Sequence, residues 1–170
     1  MSAEIISDAE EMAIKSGPQY LLFYLHSNLF ALRAEFISEI VELPAVTKVP
    51  WMQKCVKGVC NIRGSVIGVL DIAKYLLDTD FSASEKSALV IILIEFEELK
   101  HRVGIIVDAV CEVEVFEPHE LQEVPQFGLP FSAKYIESMA HYRGEYIPVL
   151  SLERVVDIEA LSMQEVIDGV

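Results

Sequence analysis

Short runs of apolar residues, separated by turn-forming residues, recur along most of the chain. Runs of about five to nine residues that are bounded by Gly, Pro, Asn, Asp or Ser are typical of β-strands, because helices need longer periodic stretches. The pattern predicts strands within residues 19–25, 29–33, 56–63, 66–70, 88–96, 102–107, 113–116, 131–141 and 145–150. A chain made mainly of such strands is expected to fold into closed or nearly closed β-barrels with short helices.

One segment between predicted strands changes from the period of a strand to that of a helix. The apolar residues with helical spacing are Phe36, Ile37, Ile40 and Val41. This spacing predicts a helical turn that ends near Leu43 and Pro44, because proline cannot continue a helix. Further helical turns are predicted at 51–54, after Pro50, and within residues 1–16.

Two polar residues directly precede short helical patterns. Asp71 is expected to cap a helix over 72–77, because its carboxylate can accept hydrogen bonds from the free amides of the first turn. Ser151 is expected to cap a second helix that begins at Leu152.

The second half of the chain repeats the pattern of the first. A shift of 80 residues lays 56–70 over 136–150, and a shift of 73 lays 28–42 over 101–115. The alignments pair Arg63 with Arg143, Gly64 with Gly144, Ile67 with Ile147, Val69 with Val149, Leu70 with Leu150, Glu39 with Glu112 and Ile37 with Val110. Amphipathic segments can resemble one another by chance, but two ordered matches favour duplication. We expect two small barrels that share a core or exchange strands, because each is small for independent stability.

The charge of the chain argues against two classes of partner. With 27 acidic and 13 basic residues, the net charge is −14. Nucleic acid and anionic membranes bind through clustered Lys and Arg, so neither is expected. The strongly apolar stretch 88–94 is far shorter than the roughly 20 residues that span a bilayer, so no membrane insertion is expected. The N-terminus also lacks the basic and apolar regions of a signal peptide, which predicts a cytoplasmic protein.

No pattern of residues supports catalysis, metal binding or a cofactor. None of the four histidines has metal-ligand spacing to another His or Cys, and no phosphate-binding loop is present. A catalytic group assembled from distant segments stays open. The three cysteines, Cys55, Cys60 and Cys111, lack CxxC spacing and are expected to be buried apolar residues. We therefore expect a protein that is not an enzyme, with no catalytic residue, metal or cofactor.

The polar residues Asn61, Arg63 and Gly64 admit two interpretations. In the first they are architecture: Gly64 forms a turn, Asn61 bonds the backbone, and Arg63 pairs with Glu39, as Arg143 would with Glu112. In the second, Arg63 lies at a protein interface, where its planar fork can orient a partner. The apolar residues of the following predicted loop are likewise either core packing or an exposed contact patch. These loop residues are Leu43, Ala45 and Val46.

The segment VPWMQKCVKGVCNIRGSVIGVLDIAKYL, residues 49–76, resembles the CheW-like domain family. The matching pattern is a proline and a spacer, then Val-x-Gly-Val-x-Asn-x-Arg-Gly, a strand, and an aspartate followed by an apolar residue. The upstream segment 20–50 resembles the family's first hairpin and Glu-Ile motif, and GIIVDAVCEVEVF resembles its Gly-Ile-x-Val-Asp-x-Val segment. Two departures are Gly68, where many relatives have proline, and the bulky Trp51 in the spacer.

The resemblance implies a fold of two five-stranded SH3-like β-barrels related by internal duplication. It also implies a division of the chain into an acidic N-terminal extension at 1–17, a CheW-like domain at 18–157 whose barrels share strands and core, and a tail at 158–170.

By resemblance, the protein is a non-enzymatic adaptor in chemotaxis, cytoplasmic and recruited to membrane receptor arrays. Its expected partners are the cytoplasmic tip of methyl-accepting receptors and the regulatory domain of a CheA-type histidine kinase. Receptor contacts are expected at Ile37, Glu39, Asn61, Arg63 and Gly64, and kinase contacts at Leu43, Ala45 and Val46. An adaptor of a twitching-motility or other chemosensory pathway is the alternative within the family, and a small-ligand enzyme or sensor is the alternative outside it.

Overall fold

The computed structural model describes residues 17–50 and 56–156. Within them lie eleven strands: β1 Gln19–Leu25, β2 Asn28–Arg33, β3 Ile37–Glu42, β4 Val56–Ile62, β5 Ser65–Leu70, β6 Ala88–Phe96, β7 Leu99–Val107, β8 Ala109–Val115, β9 Leu121–Gln122, β10 Ile136–Tyr142 and β11 Glu145–Leu150. The helices are α1 Ile72–Leu76 and α2 Leu152–Val155, with 3-10 turns η1 Ala34–Phe36, η2 Pro118–Glu120 and η3 Ala133–Tyr135. The predicted mainly β fold with short helices is therefore confirmed. The helical turns predicted at 51–54 and within 1–16 lie outside the described residues, as does the tail.

The strands form two sheets, each of which curves around its own apolar interior. The first barrel has the order β3-β6-β7-β5-β4, and the second has β8-β1-β2-β11-β10-β9. In each sheet, the segment that follows the edge strand β3 or β8 helps to close the barrel. Thr47 and Val59 exchange two backbone hydrogen bonds of 2.8 Å across the first barrel, and β9 pairs with β10 in the second.

The strand registers show that the two barrels are built on one plan. Glu39 lies opposite Ile91 in the first barrel, and Glu112 lies opposite Leu22 in the second. Each edge strand has a bulge at the residue before its glutamate, at Ser38 and at Cys111. Each barrel also contains one parallel pair among the described strands, β5 with β7 and β11 with β2. The predicted internal duplication is therefore confirmed.

Each half of the chain gives its first hairpin to the barrel of the other half. The first repeat runs from β1 to α1 and the second from β6 to α2. The first barrel combines β3, β4 and β5 with the hairpin β6–β7, whereas the second combines β8, β10 and β11 with the hairpin β1–β2. Neither barrel is therefore formed from one repeat alone.

The largest apolar cluster among the described residues lies between the two sheets. Leu21, Phe23 and Leu25 of β1 face this central core, whereas Tyr20 and Leu22 face the interior of the second barrel. The equivalent strand β6 divides its side chains in the same way between the central core and the first barrel. Residues 20–23 of β1 and 88–92 of β6 are thus covered on both faces. This explains why the sequence shows continuous apolar runs there instead of simple alternation.

Three features differ from the sequence-based expectations. The predicted helical turn over 36–41 is wrong, because η1 ends at Phe36 and β3 begins at Ile37. Residues of β3 alternate between half-buried and exposed positions, and β-branched side chains favour the strand when β6 offers a partner. Asp71 and Ser151 precede helices as predicted, but neither side chain makes a capping hydrogen bond. Cys60 is buried as expected, Cys111 is exposed, contrary to expectation, and Cys55 lies outside the described residues.

The carboxylate of Asp71 is held instead by the loop that follows α1. Its Oδ2 accepts a hydrogen bond of 3.2 Å from the backbone N–H of Phe81, and its buried Oδ1 has no hydrogen-bond partner within the described residues. Burial raises the pKa of Asp71 above its ordinary value, although the Phe81 hydrogen bond and the charge of Lys57 oppose the shift.

The raised pKa of Asp71 predicts a pH-dependent difference between the wild type and Asp71→Asn. A carboxyl with a raised folded pKa binds its proton more tightly in the native state, so the wild type loses stability as the pH rises above the unfolded pKa. The unfolding free energy of Asp71→Asn should therefore increase relative to the wild type with rising pH. Urea denaturation at several values from about pH 4 to pH 8 measures the difference, and parallel curves would contradict the assignment.

Two glycines of one hairpin provide a matched test of packing. The backbone of Gly58 has φ of 152°, and a Cβ there would overlap the carbonyl oxygen of Thr47, whereas a Cβ at Gly68 would meet no atom within 4 Å. Gly58→Ala should lower the unfolding free energy by about 2 kcal/mol or more, because the closure at Thr47 must move. Gly68→Ala should change it by less than about 1 kcal/mol. Equal effects in denaturant titrations would show that the closure is not rigid.

Candidate protein-binding site

The hairpin between β4 and β5 ends in a two-residue turn that presents Arg63 to solvent. Arg63 and Gly64 have φ of 51° and 85°, the positive pair typical of a type I′ hairpin turn. The N–H of Gly64 donates a hydrogen bond of 2.9 Å to Oδ1 of Asn61. The predicted roles of Gly64 in the turn and of Asn61 in bonding the backbone are therefore confirmed.

An arginine in this backbone conformation is unusual. A residue other than glycine in the left-handed region costs about 1–3 kcal/mol. The second barrel nevertheless repeats the arrangement, with φ of 48° at Arg143 and 79° at Gly144. Both barrels therefore keep an arginine at a turn position that glycine or asparagine would occupy with less strain.

Each turn arginine reaches a glutamate on the edge strand of its barrel. Arg63 Nη2 lies 3.0 Å from Oε2 of Glu39, and Arg143 Nη2 lies 3.3 Å from Oε1 of Glu112. Both predicted ion pairs are thus present. The Arg63 side chain is 77% exposed and that of Glu39 only 16%, so the acid is largely covered while the arginine faces solvent.

A second arginine, which the sequence analysis did not identify, binds the same glutamate. Arg102 Nη2 of β7 lies 3.1 Å from Oε1 of Glu39 and 3.5 Å from Oγ of Ser38. The sequence contained a usable signal, because the shift of 73 residues lays Leu29 on Arg102 and so replaces an apolar residue by a cation.

The remaining residues expected at the receptor site and the kinase site have mixed surroundings. Ile37 is half-buried and packs against the central core, so it lies beside the polar cluster without joining it. Leu43 and Val46 are half-buried against the core of the first barrel, whereas Ala45 is exposed. The structure thus brings together Glu39, whose side chain is largely covered, and the turn residues 61–64. Of the three residues expected to contact the kinase, Ala45 is the exposed one.

Two clefts lie where side chains from both sheets meet. One, of 410 Å³, lies beside Ile40 and Val110, which are 42% and 36% exposed. The other, of 510 Å³, lies between Arg33, Glu137 and Leu93. Arg33 Nε donates a hydrogen bond of 2.8 Å to Oε1 of Glu137, which raises the pKa of Arg33. Both clefts are open surface features.

No helix of the described residues is long and apolar enough to cross a membrane.

Comparisons with known proteins agree on one family. The family model described as CheW-like domain matches residues 19–159. Chemotaxis protein CheW of Bacillus subtilis is 24% identical over 147 residues, which cover 86% of this chain and 92% of that protein. Protein PilI of Pseudomonas aeruginosa is 29% identical over 94 residues, or 55% of this chain and 51% of that protein. The crystal structure of scaffolding protein TtCheW from Thermoanaerobacter tengcongensis aligns with a TM-score of 0.71 and 25% identity, covering 81% of this chain and 86% of that one.

Proposed function

The chain belongs to the CheW-like domain family, and on that premise we propose that it is a non-enzymatic adaptor in chemotaxis signal transduction. It couples the cytoplasmic tip of methyl-accepting receptors to the regulatory domain of a CheA-type histidine kinase. It does so from the cytoplasm at membrane receptor arrays. The similar Thermoanaerobacter protein is a scaffolding protein, which supports this proposal.

The exposed arginine turn of the first barrel is the observation that carries the proposal. Arg63 extends from a two-residue hairpin turn, and in the unbound protein its guanidinium pairs with a covered carboxylate. Such a group can form a directed, charge-assisted hydrogen bond with another protein, and arginine is enriched among residues that dominate binding energy. We propose that the receptor tip contacts Arg63 and Asn61 directly, while Gly64 shapes the turn, Glu39 pairs with Arg63 in the unbound protein and Ile37 supports the strand.

The segment after β3 is proposed as the kinase contact. Leu43 and Val46 fix this segment against the first barrel, and Ala45 lies exposed between them. A small exposed residue between two half-buried apolar residues lets a partner's side chains pack closely against the segment. This segment is separate in sequence from the arginine turn, and we propose that the two partners bind together.

An adaptor of a twitching-motility or other chemosensory pathway is the second candidate. The similarity to Protein PilI supports it, although that similarity covers about half of each chain. Co-purification with the CheA-type kinase of each pathway in the source organism separates the two candidates.

Arg63→Glu is expected to weaken binding to the receptor tip by at least about tenfold, or 1.4 kcal/mol. The unfolding free energy should fall by no more than about 1 kcal/mol, because Arg63 is largely exposed and Arg102 still pairs with the covered Glu39. Calorimetric titration with the purified tip measures the first quantity and urea denaturation the second. Arg143→Glu makes the same change in the equivalent turn of the second barrel and should leave the affinity within about twofold. Equal weakening by both variants, or unfolding of Arg63→Glu, would contradict the receptor site.

Ala45→Glu should weaken binding to the regulatory domain of the kinase by about tenfold and leave binding to the receptor tip unchanged. The reason is that a charge would be buried without a partner at the contact. Ala133→Glu introduces the same side chain at an exposed position of the second barrel and serves as the control. Retained kinase binding by Ala45→Glu would remove this segment from the proposed interface.

A further inference from the structure

Three charged side chains form one cluster on the first barrel. The two carboxylate oxygens of Glu39 are divided between two guanidinium groups, with Oε2 at 3.0 Å from Arg63 and Oε1 at 3.1 Å from Arg102. One negative charge therefore faces two positive charges. Arg102 lies on β7, which pairs with β6. Nearer to the β6–β7 turn, Lys100 of β7 lies opposite Glu95 of β6, and the two side chains carry opposite charges. The charges of these five side chains sum to +1, on a chain whose overall charge is −14.

The second barrel shows how the same scaffold looks without Arg102. Val69 lies opposite Gly104 in the first barrel, and Val149 lies opposite Ala31 in the second, so Gly104 and Ala31 are equivalent. Two residues earlier, Arg102 is therefore equivalent to Leu29, which packs against the interior of the second barrel. Glu112 consequently pairs with one arginine only among the described residues, and that cluster is neutral.

The two arginines of the first barrel are held differently. Arg102 belongs to a central strand, is 36% exposed, and contacts both Ser38 and Glu39. Arg63 lies in a turn, is 77% exposed, and within the described residues pairs with Glu39 alone.

Arg143 of the second barrel has an additional contact, because its guanidinium lies 5.0 Å from the ring centroid of Tyr142. The equivalent neighbour of Arg63 is Ile62, which is buried. Of these three arginines, Arg63 is the most weakly held.

We propose that Arg102 is a positioning residue that holds Glu39 and so leaves Arg63 free to bind a carboxylate of the partner protein. With Arg102 present, Glu39 remains paired when Arg63 turns to an aspartate or glutamate of the partner, so no covered charge is left uncompensated. Without Arg102, Arg63 could bind the partner only by abandoning Glu39. The exposed Val66, opposite Asn61 in the hairpin, adds an apolar contact beside the arginine. The identity of the partner as a receptor rests on the proposed function; the preference for a carboxylate rests on the cluster itself.

The decisive variant is Arg102→Leu, which installs the residue found at the equivalent position of the second barrel. Its affinity for the receptor tip should fall about fivefold to tenfold, because Glu39 then retains Arg63. Adding Glu39→Gln to Arg102→Leu removes the competing carboxylate and should restore most of the affinity. A purely structural role of Arg102 would not give this rescue. Arg102→Lys should retain more affinity than Arg102→Gln, and unfolding midpoints of all variants establish that they are folded.

The acidic side chain of the partner is found by changing each exposed Asp and Glu of the receptor tip to its amide. One such change should weaken binding to the wild type about tenfold and have little further effect on Arg63→Gln, the result of a direct pairing. If no amide substitution shows this coupling while the wild-type tip still binds, the inference is overturned and the proposed function stands.

A second probe makes the test independent of the receptor. A helical peptide with a row of exposed glutamates, and its glutamine counterpart, are titrated while the Nε–H signal of Arg63 is followed by NMR. The glutamate peptide should shift this signal more than the glutamine peptide in the wild type and in the double variant, and less in Arg102→Leu. If the receptor tip does not bind but this pattern holds, the proposed function fails and the inference stands. Equal responses to both peptides in the wild type overturn the inference.

Discussion

Burial of apolar side chains between the two sheets is the interaction on which the rest of the structure depends. Each barrel has an interior of its own, but the largest cluster of buried residues lies between the barrels and draws on both. Strands β1 and β6 have a barrel on one face and the central core on the other, so they fix the sheets relative to one another. The edge strand β3, which carries Glu39, is anchored to this core through Ile37, and Glu39 reaches the arginine turn from there.

The duplication gives the molecule two copies of the same group of polar residues, and the surroundings of the two copies differ. Both copies have a left-handed arginine, a glycine, and a glutamate that follows a bulge. One position differs, with Leu29 in the second barrel and Arg102 in the first. This difference changes the net charge of the arginine–glutamate cluster from zero to +1. Function in such a scaffold can thus be altered by one side chain on a central strand, without change to the backbone that presents the turn.

Much of the architecture could be predicted because it rests on local patterns. Strand length, turn residues and the repeat gave the two barrels, and the aligned Glu39 and Arg63 gave an ion pair that is present. The errors arose where distant contacts override local preference. Residues 37–41 have helical spacing but become a strand because β6 offers a partner. Asp71 has the position of a cap, yet its carboxylate is taken by the backbone of Phe81. Arg102 escaped notice because its role depends on Glu39, 63 residues earlier in the chain.

The exchange of hairpins also sets the order in which the protein can fold during its synthesis. The first barrel needs β7, which ends at Val107, and the second needs β11, which ends at Leu150. A ribosome that has completed the whole first repeat has therefore produced no closed barrel, and the apolar hairpin β1–β2 still lacks its eventual neighbours in the chain. The nascent protein must keep that hairpin from pairing with other chains until nearly all of the domain has emerged.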